Sequence, residues 1–431
     1  MYWNETEETI DRQRLATLQL GRLRNLVARL ARDVPYYREK LAGVSPSDLT
    51  SIDAMSDLPF TTKDTLREHY PFGLLAVPLE QIVRIHASSG TTGKPTVVAY
   101  TRSDMVLWAE VMARTLTAGG AGRSDVVHNA YGYGLFTGGL GFGLGAETVG
   151  AATVPVSSGN TLRQLMLLED FGATVLCATP SYALVLAEAL DQEGIGRERL
   201  RLRVGFFGAE PWTQALREEI EGRLGIEAFD VYGLSEIVGP GVAVECREHA
   251  GLHLAEDYFL AEVVDPQTGR RLPADKEGEL VLTTLTKEGL PLLRYRTRDR
   301  VRLTRERCGC GRTLARMSKV TGRTDDMLIV RGVNVFPSQI EAALLRVSGL
   351  APQYLILVDR QKDQLDDLEI WVEPTAEIEK RGEHAVRELQ SLAQERLDSA
   401  LGIRVRLRIV AHREIERSQG KASRVIDRRQ K

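Results

Sequence analysis

Ser88-Ser89-Gly90-Thr91-Thr92-Gly93-Lys94-Pro95 is the stretch whose reading decides the fold, because six of its eight residues are Gly, Ser or Thr. Glycine lets backbone approach a ligand closely, and hydroxyls together with backbone N–H groups can wrap phosphate oxygens. The run is not a Walker A loop. Only two residues separate Gly90 from Gly93, and Pro95 stands where that loop carries Ser or Thr. Strand-like runs at 82–85 and 97–100 flank it, so no helix N-terminus follows directly. A polar hairpin tip is the plainer reading. Hairpin tips rarely stack hydroxyls and glycines in this way ahead of Gly-Lys, so Ser88, Ser89, Gly90, Thr91 and Thr92 are read as a phosphate cradle.

Outward from this loop, β-branched runs at 152–155, 174–178, 204–207 and 228–232 alternate with helical patterns at 105–116, 161–169, 180–189 and 211–223. That alternation predicts an α/β fold with a largely parallel sheet. The leucines at 15, 18, 23, 26 and 30 predict an amphipathic helix over 10–33, ending before Pro35. Runs at 259–264, 278–282 and 301–303 suggest a smaller β subdomain. A composition shift after Asp325-Asp326 opens a compact α+β unit with strands at 327–330, 354–358, 368–372 and 404–410 and helices at 338–346 and 383–401. The expected domains are therefore 1–324 and 326–431.

Composition narrows the classes. The chain has 431 residues, 43% hydrophobic and 27% charged, with 56 Lys plus Arg against 59 Asp plus Glu. That balance fits a globular protein of two or three domains and excludes nucleic-acid binding by bulk charge. No apolar run reaches the about 18 residues of a membrane span, the first residues do not read as a signal peptide, and four cysteines are too few for a disulfide scaffold, so a cytoplasmic protein is expected. The 39 glycines are unevenly placed. Gly132, Gly134, Gly138 and Gly139, with neighbours as far as Gly145, lie among Tyr131, Tyr133 and Phe136, and are read as a flat slot for a ring. Cys308-Gly309-Cys310 forms one tight turn, and Cys246 with His249 or His253 lies on an earlier loop; together they make a Cys₃His set, the donor pattern of structural zinc.

These words, with Ala130-Tyr-Gly-Tyr-Gly-Leu-Phe-Thr-Gly-Gly139 and Thr321-Gly-Arg-Thr-Asp-Asp326, resemble the adenylate-forming superfamily of acyl-CoA ligases, luciferases and peptide-synthetase adenylation domains. The wording is most similar to its phenylacetate-CoA ligase family, over nearly the whole chain. The resemblance implies an aryl or arylacetic acid, phenylacetate foremost, activated with ATP to acyl-AMP and then transferred to CoA. Another aryl acid, of anthranilate or benzoate type, or a carrier-protein acceptor is the alternative. The C-terminal domain would be a mobile lid.

The resemblance also implies site residues. In Asp230-Val-Tyr-Gly-Leu-Ser-Glu236, Asp230 would bond the adenine amino group, Tyr232 would stack on adenine, Gly233 and Ser235 would line the nucleotide, and Glu236 would hold Mg²⁺, a hard cation suited to one carboxylate and phosphates. Gly208-Ala209-Glu210-Pro211 would border adenine and the acyl pocket. Asp299 would accept the ribose hydroxyls, and Arg323 would reach the nucleotide. Tyr131, Phe136, Ala209, Ile237 and Pro240 would wall the acyl group. Asp325 would be the hinge, Arg331 and Gly332 would face CoA, and Lys421 would contact the α-phosphate, joining Thr91 and Glu236 as catalytic residues. Within the Cys₃His set, the Cys…Gly-Leu-His-x-x-Glu-Asp wording favours Cys246, His253, Cys308 and Cys310. A homodimer is common among such enzymes.

Overall fold

The structure, a computed structural model, describes residues 1–88, 95–324, 328–330, 333–359, 367–401, 403–417 and 424–428. Its contacts group the chain into two compact units. One comprises Met1–Ala178, Glu198–Ala209 and Ile226–Val320; the other comprises Thr179–Arg197, Glu210–Gly225 and Thr321–Lys431. The expected hinge, Asp325, lies outside the described residues.

The first unit is built on a nine-stranded sheet. Ala152–Val154, Val126–Asn129, Val175–Ala178, Val204–Gly208 and Glu227–Leu234 lie side by side and parallel. From Glu227–Leu234 onward the pairing turns antiparallel, through Gly239–Glu245, Leu252–Leu254, Arg316–Met317 and Leu303–Thr304. The parallel half matches the expectation. The antiparallel half does not show in the sequence pattern, because Gly239 and Gly241 punctuate the first of its strands, both at positive φ. The antiparallel strands Phe259–Val264, Gly278–Thr284 and Tyr295–Val301 are three neighbours in a smaller sheet; of the run expected at 301–303, Val301 ends the last of these, while Leu303 starts Leu303–Thr304 of the nine-stranded sheet.

The first long helix runs Arg12–Asp33. Asp11 caps it by accepting from the amides of Gln13 and Arg14, and Val34, held extended ahead of Pro35, ends it. The buried stripe is Leu15, Leu23, Leu26, Val27 and Leu30. The phosphate-loop sequence is flanked by the antiparallel strands Arg84–Ser88 and Thr96–Tyr100, with Ser88 opposite Thr96. The first strand starts and ends later than the 82–85 run suggested.

Part of the glycine-rich stretch serves packing. Most of the glycine-rich stretch is a helix, Gly138–Val149, packed against the helix Arg102–Ala118. A Cβ at Gly141 would stand 2.7 Å from Pro240 Cγ and 2.9 Å from Trp108, and one at Gly145 would stand 2.7 Å from Met112 Cβ. Gly141 and Gly145 therefore sit at a close packing contact. They let two helices and a strand approach more closely than any side chain permits, which outweighs the helix-propensity cost of about 1 kcal/mol per glycine.

In the second unit, Asp367–Pro374 and Leu350–Asp359 pair antiparallel, flanked in parallel by Arg406–Ile409 and Val425–Asp427. Pro337–Leu344 and Glu383–Leu401 supply helical faces to a core of Ile340, Leu344, Ile356, Ile370, Leu389 and Leu397. The helices Pro180–Gln192 and Gln214–Leu224 belong to the same unit.

Candidate active site and metal centre

Strand Glu227–Leu234 carries Asp230 and Tyr232 and delivers the chain to the turn that holds Ser235 and Glu236. The Tyr232 hydroxyl donates to Asp299 Oδ2 at 2.6 Å, a short charge-assisted bond between two sequence-predicted residues 67 positions apart. Asp299 reaches this place from strand Tyr295–Val301. The Asp230 amide donates to Glu245 Oε2 at 2.9 Å, so a buried carboxylate braces the strand beneath the nucleotide residues.

Glu236 is buried, 6% exposed, and its Oε1 lies 3.8 Å from Lys63 Nζ. Lys63 begins the helix Lys63–Glu68, and nothing in its local sequence distinguishes it from a solvated helix-start lysine. The turn after Glu236 is also held from below. Lys287 Nζ donates to the carbonyls of Ile237 (2.7 Å) and Glu236 (3.4 Å). Burial lowers its pKa to about 8, against the attraction of Asp104 and Glu236. Thr286-Lys287-Glu288-Gly289 reads in the sequence as an exposed turn, yet Lys287 is only 2% exposed.

Gly208 ends strand Val204–Gly208, where a Cβ would stand 2.1 Å from the Val231 carbonyl oxygen, so the sheet accepts only glycine there. Ala209 follows at φ +70°, a left-handed conformation costly for a side chain and associated with functional turns. In the second unit, Glu210 Oε1 accepts from the Ser181 amide at 2.7 Å, at the N-terminus of helix Pro180–Gln192. Arg424 donates to Ser181 Oγ (3.2 Å) and Glu341 (2.8 Å), and Arg417 bridges Glu188 and Glu373. Pro211 lies just ahead of helix Gln214–Leu224, and Arg323 is half-buried in the short strand Gly322–Arg323.

The residues expected to wall the acyl group differ in burial. The Tyr131 ring stacks on Phe142 with centroids 4.9 Å apart and is buried in the core. Phe136 is 53% exposed. Ile237 is fully buried, and the Pro240 carbonyl accepts from Trp108 Nε1. Ser88 is described, and its hydroxyl is buried with no partner among the described residues, as is that of Thr96 opposite. Ser89, Gly90, Thr91, Thr92, Asp325, Arg331, Gly332 and Lys421 lie outside the described residues.

The cysteine cluster assembles from strand ends. The ligand atoms of Cys246, His253, Cys308 and Cys310 all lie within 4.8 Å of one another. Cys246 Sγ and Cys308 Sγ are 3.7 Å apart, and Cys310 Sγ is 3.5 Å from His253 Nε2. A tetrahedral zinc with ordinary bond lengths requires separations of about 3.8 and 3.6 Å for such pairs. The Cys246 thiol donates toward Cys310, which holds the Cys310 thiol well below its usual pKa with help from His253, and raises that of Cys246. His249 is elsewhere: its ring stacks near Phe229, and its nitrogens face Glu227 and Glu245.

A nine-stranded sheet whose strand Glu227–Leu234 presents Tyr232 to Asp299 and leads into the turn of the buried Glu236 is the framework of the candidate site. The chain belongs to the AMP-binding enzyme family: the family model "AMP-binding enzyme" matches residues 38–285, and "AMP-binding enzyme C-terminal domain" matches 332–429. It is 47% identical to the phenylacetate-coenzyme A ligase of Thermus thermophilus over 100% of both chains. It is 49% identical to the phenylacetate-coenzyme A ligase of Escherichia coli K12, over 98% of this chain and 97% of that one. A crystal structure of 2-hydroxyisobutyryl-CoA ligase in the postadenylation state, in complex with 2-HIB-AMP, matches with a TM-score of 0.93 at 31% identity, covering 99% of this chain and 92% of that one.

Proposed function

We propose that this AMP-forming acid–CoA ligase activates phenylacetate, or a closely similar aryl acid, to the acyl-adenylate with release of pyrophosphate, and then passes the acyl group to free CoA with release of AMP. The observation that carries the reading is the full-length identity to phenylacetate-coenzyme A ligases, in a chain whose Tyr232 and Asp299 meet at 2.6 Å.

The residues divide the work by chemistry. Asp299, ionised and only an acceptor, is suited to the two ribose hydroxyls, and the Tyr232 hydroxyl orients it while the ring offers a face to adenine. Asp230 is proposed for the adenine amino group. Glu236 would hold Mg²⁺, which would offset the charge of the phosphates, with Lys63 nearby to balance the carboxylate. Ser88 to Thr92 would cradle the β- and γ-phosphates, Thr91 among them, with Gly233, Ser235 and Arg323 bordering the nucleotide. Lys421 would stabilise charge developing at the carboxylate and α-phosphate. The C-terminal domain, pivoting at Asp325, would then present Arg331 and Gly332 to CoA. The cysteine–histidine cluster is proposed as a structural zinc site, since its donor set and spacings suit that ion. Four free cysteines suit the cytoplasm, where we place the enzyme. The homodimer common in the family is read directly by sedimentation.

The test is acid-dependent ATP–pyrophosphate exchange over a panel of phenylacetate, benzoate and anthranilate, followed by CoA-dependent AMP release. Phenylacetate is expected to give the highest kcat/KM in both. Exchange driven better by another acid would reassign the substrate, and AMP release that needs a carrier protein would reassign the acceptor. Lys421→Ala is expected to cripple exchange while thioester formation from supplied acyl-AMP largely survives; equal loss in both would remove its assigned role.

A further inference from the structure

The turn that carries Glu236 has an unusual support. Four successive carbonyls, Ser235 to Val238, point to just two buried side chains. The Tyr100 hydroxyl reaches those of Ser235 (3.4 Å) and Val238 (3.2 Å), and Lys287 Nζ reaches those of Glu236 (3.4 Å) and Ile237 (2.7 Å). The two supports also touch each other, with Lys287 Nζ 4.7 Å from the Tyr100 ring centroid. Tyr100 is in turn stacked on Trp108 at 5.2 Å, and both rings are fully buried.

Lys287 is itself fixed through its own turn. Asp104, at the start of helix Arg102–Ala118, accepts from the amides of Glu288 (2.6 Å) and Gly289 (2.8 Å) and from that of Thr101. Arg29 donates to the Lys287 carbonyl. Among the described residues Lys287 has no carboxylate in ion-pair range; a buried lysine of this kind is costly unless its donors are used, and here backbone carbonyls use them.

We propose that Lys287 and Tyr100 are positioning residues for adenylation, acting together as a two-pronged brace that holds the backbone of Ser235–Val238 so that the Glu236 carboxylate and the Ile237 side chain keep their places. This rests on the functional reading above for the role of Glu236, but the brace itself is a statement about the turn. Neither residue touches the reacting atoms. An ammonium on a flexible stem suits two adjacent carbonyls, whereas the rigid, stacked tyrosine has one hydroxyl proton, given to the nearer Val238 carbonyl and shared at most weakly with that of Ser235.

Two readouts on the full chain test it. The amides of Ile237 and Val238 both bond to the Leu234 carbonyl, so hydrogen exchange at these two amides reports the turn directly. Lys287→Met keeps the apolar stem and removes the donors. It is expected to speed exchange at these amides by about tenfold. It should also lower kcat for acid-dependent pyrophosphate exchange by about 10²-fold per folded site, with KM for ATP within about twofold. Tyr100→Phe is expected to give the same pattern more weakly, and it stands in if Lys287→Met does not fold. Unchanged protection at Ile237 and Val238 in a folded variant would overturn the brace, as would a kcat per folded site within about twofold of the parent enzyme. A merely structural role would lower the melting temperature and the folded fraction but leave kcat per folded site intact. If the parent enzyme shows no acid-dependent exchange, the functional reading fails, and amide protection alone still decides the brace.

Discussion

Two polar centres lie on the same sheet and are built on opposite principles. At the end of strand Glu227–Leu234, each carboxylate has a partner from the protein: Asp299 takes the Tyr232 hydroxyl, and Glu236 lies near Lys63. At the far end of Gly239–Glu245, the donor atoms of Cys246, His253, Cys308 and Cys310 face one another. On the function proposed above, the first centre would take up and release the nucleotide in turnover. The thiols of the second lie close enough to share a proton, with the Arg312 guanidinium beside Cys310, and the proposed zinc would complete that centre. The first would exchange its contents and the second would keep them.

That difference can be broken by substitution. Asp299→Ala should have the largest effect, removing bonds to both ribose hydroxyls at about 1.5–3 kcal/mol each, so that kcat/KM for ATP falls by roughly 10²–10³-fold or more while the melting temperature hardly moves. At the other centre the signature is reversed. Cys308→Ser, or chelation of protein purified without chelator, should cost several kcal/mol of stability and lower the melting temperature by roughly 5 °C or more, with KM for ATP unchanged. Elemental analysis should find one zinc per chain in the parent protein and far less in the variant; zinc-free parent protein would end that reading.

Smaller effects sharpen the contrast. Gly145→Ala touches neither centre. Its methyl would press on Met112, costing about 1–3 kcal/mol of stability by overpacking, read as a lower denaturant midpoint with normal KM values. Tyr232→Phe removes one charge-assisted bond to Asp299 but keeps the ring, so KM for ATP should rise about tenfold. His249→Ala should leave zinc content unaltered, because the imidazole faces Glu227 and Glu245 rather than the cluster.

Legibility in the sequence followed locality. Strand–helix alternation, the capped helix Arg12–Asp33 and helix Glu383–Leu401 depend on neighbours within a turn or two, and their residues announce them. The choice between His249 and His253 depended on which of two nearby imidazoles points at a loop some sixty residues away, and geometry places His253 there. The glycines at 139, 141, 143 and 145 read equally well as an open slot or a close helix contact, because glycine marks absence of a side chain without saying what fills the space. Lys63 and Lys287 carried no local signal at all: in sequence they are ordinary polar residues, and only burial and facing carbonyls or carboxylates set them apart.

By itself, the amino-acid sequence determined the α/β class and the set of chemical groups present, since hydrophobic period and residue chemistry are properties of short stretches. Only the tertiary structure decided which of these groups meet. It joined Tyr232 to Asp299, gathered three cysteines with one histidine, turned a glycine run into a helix seam and placed Lys287 under the Glu236 turn. Such meetings depend on close packing between distant segments, where a contact forms or fails within an ångström, and no local pattern encodes that distance.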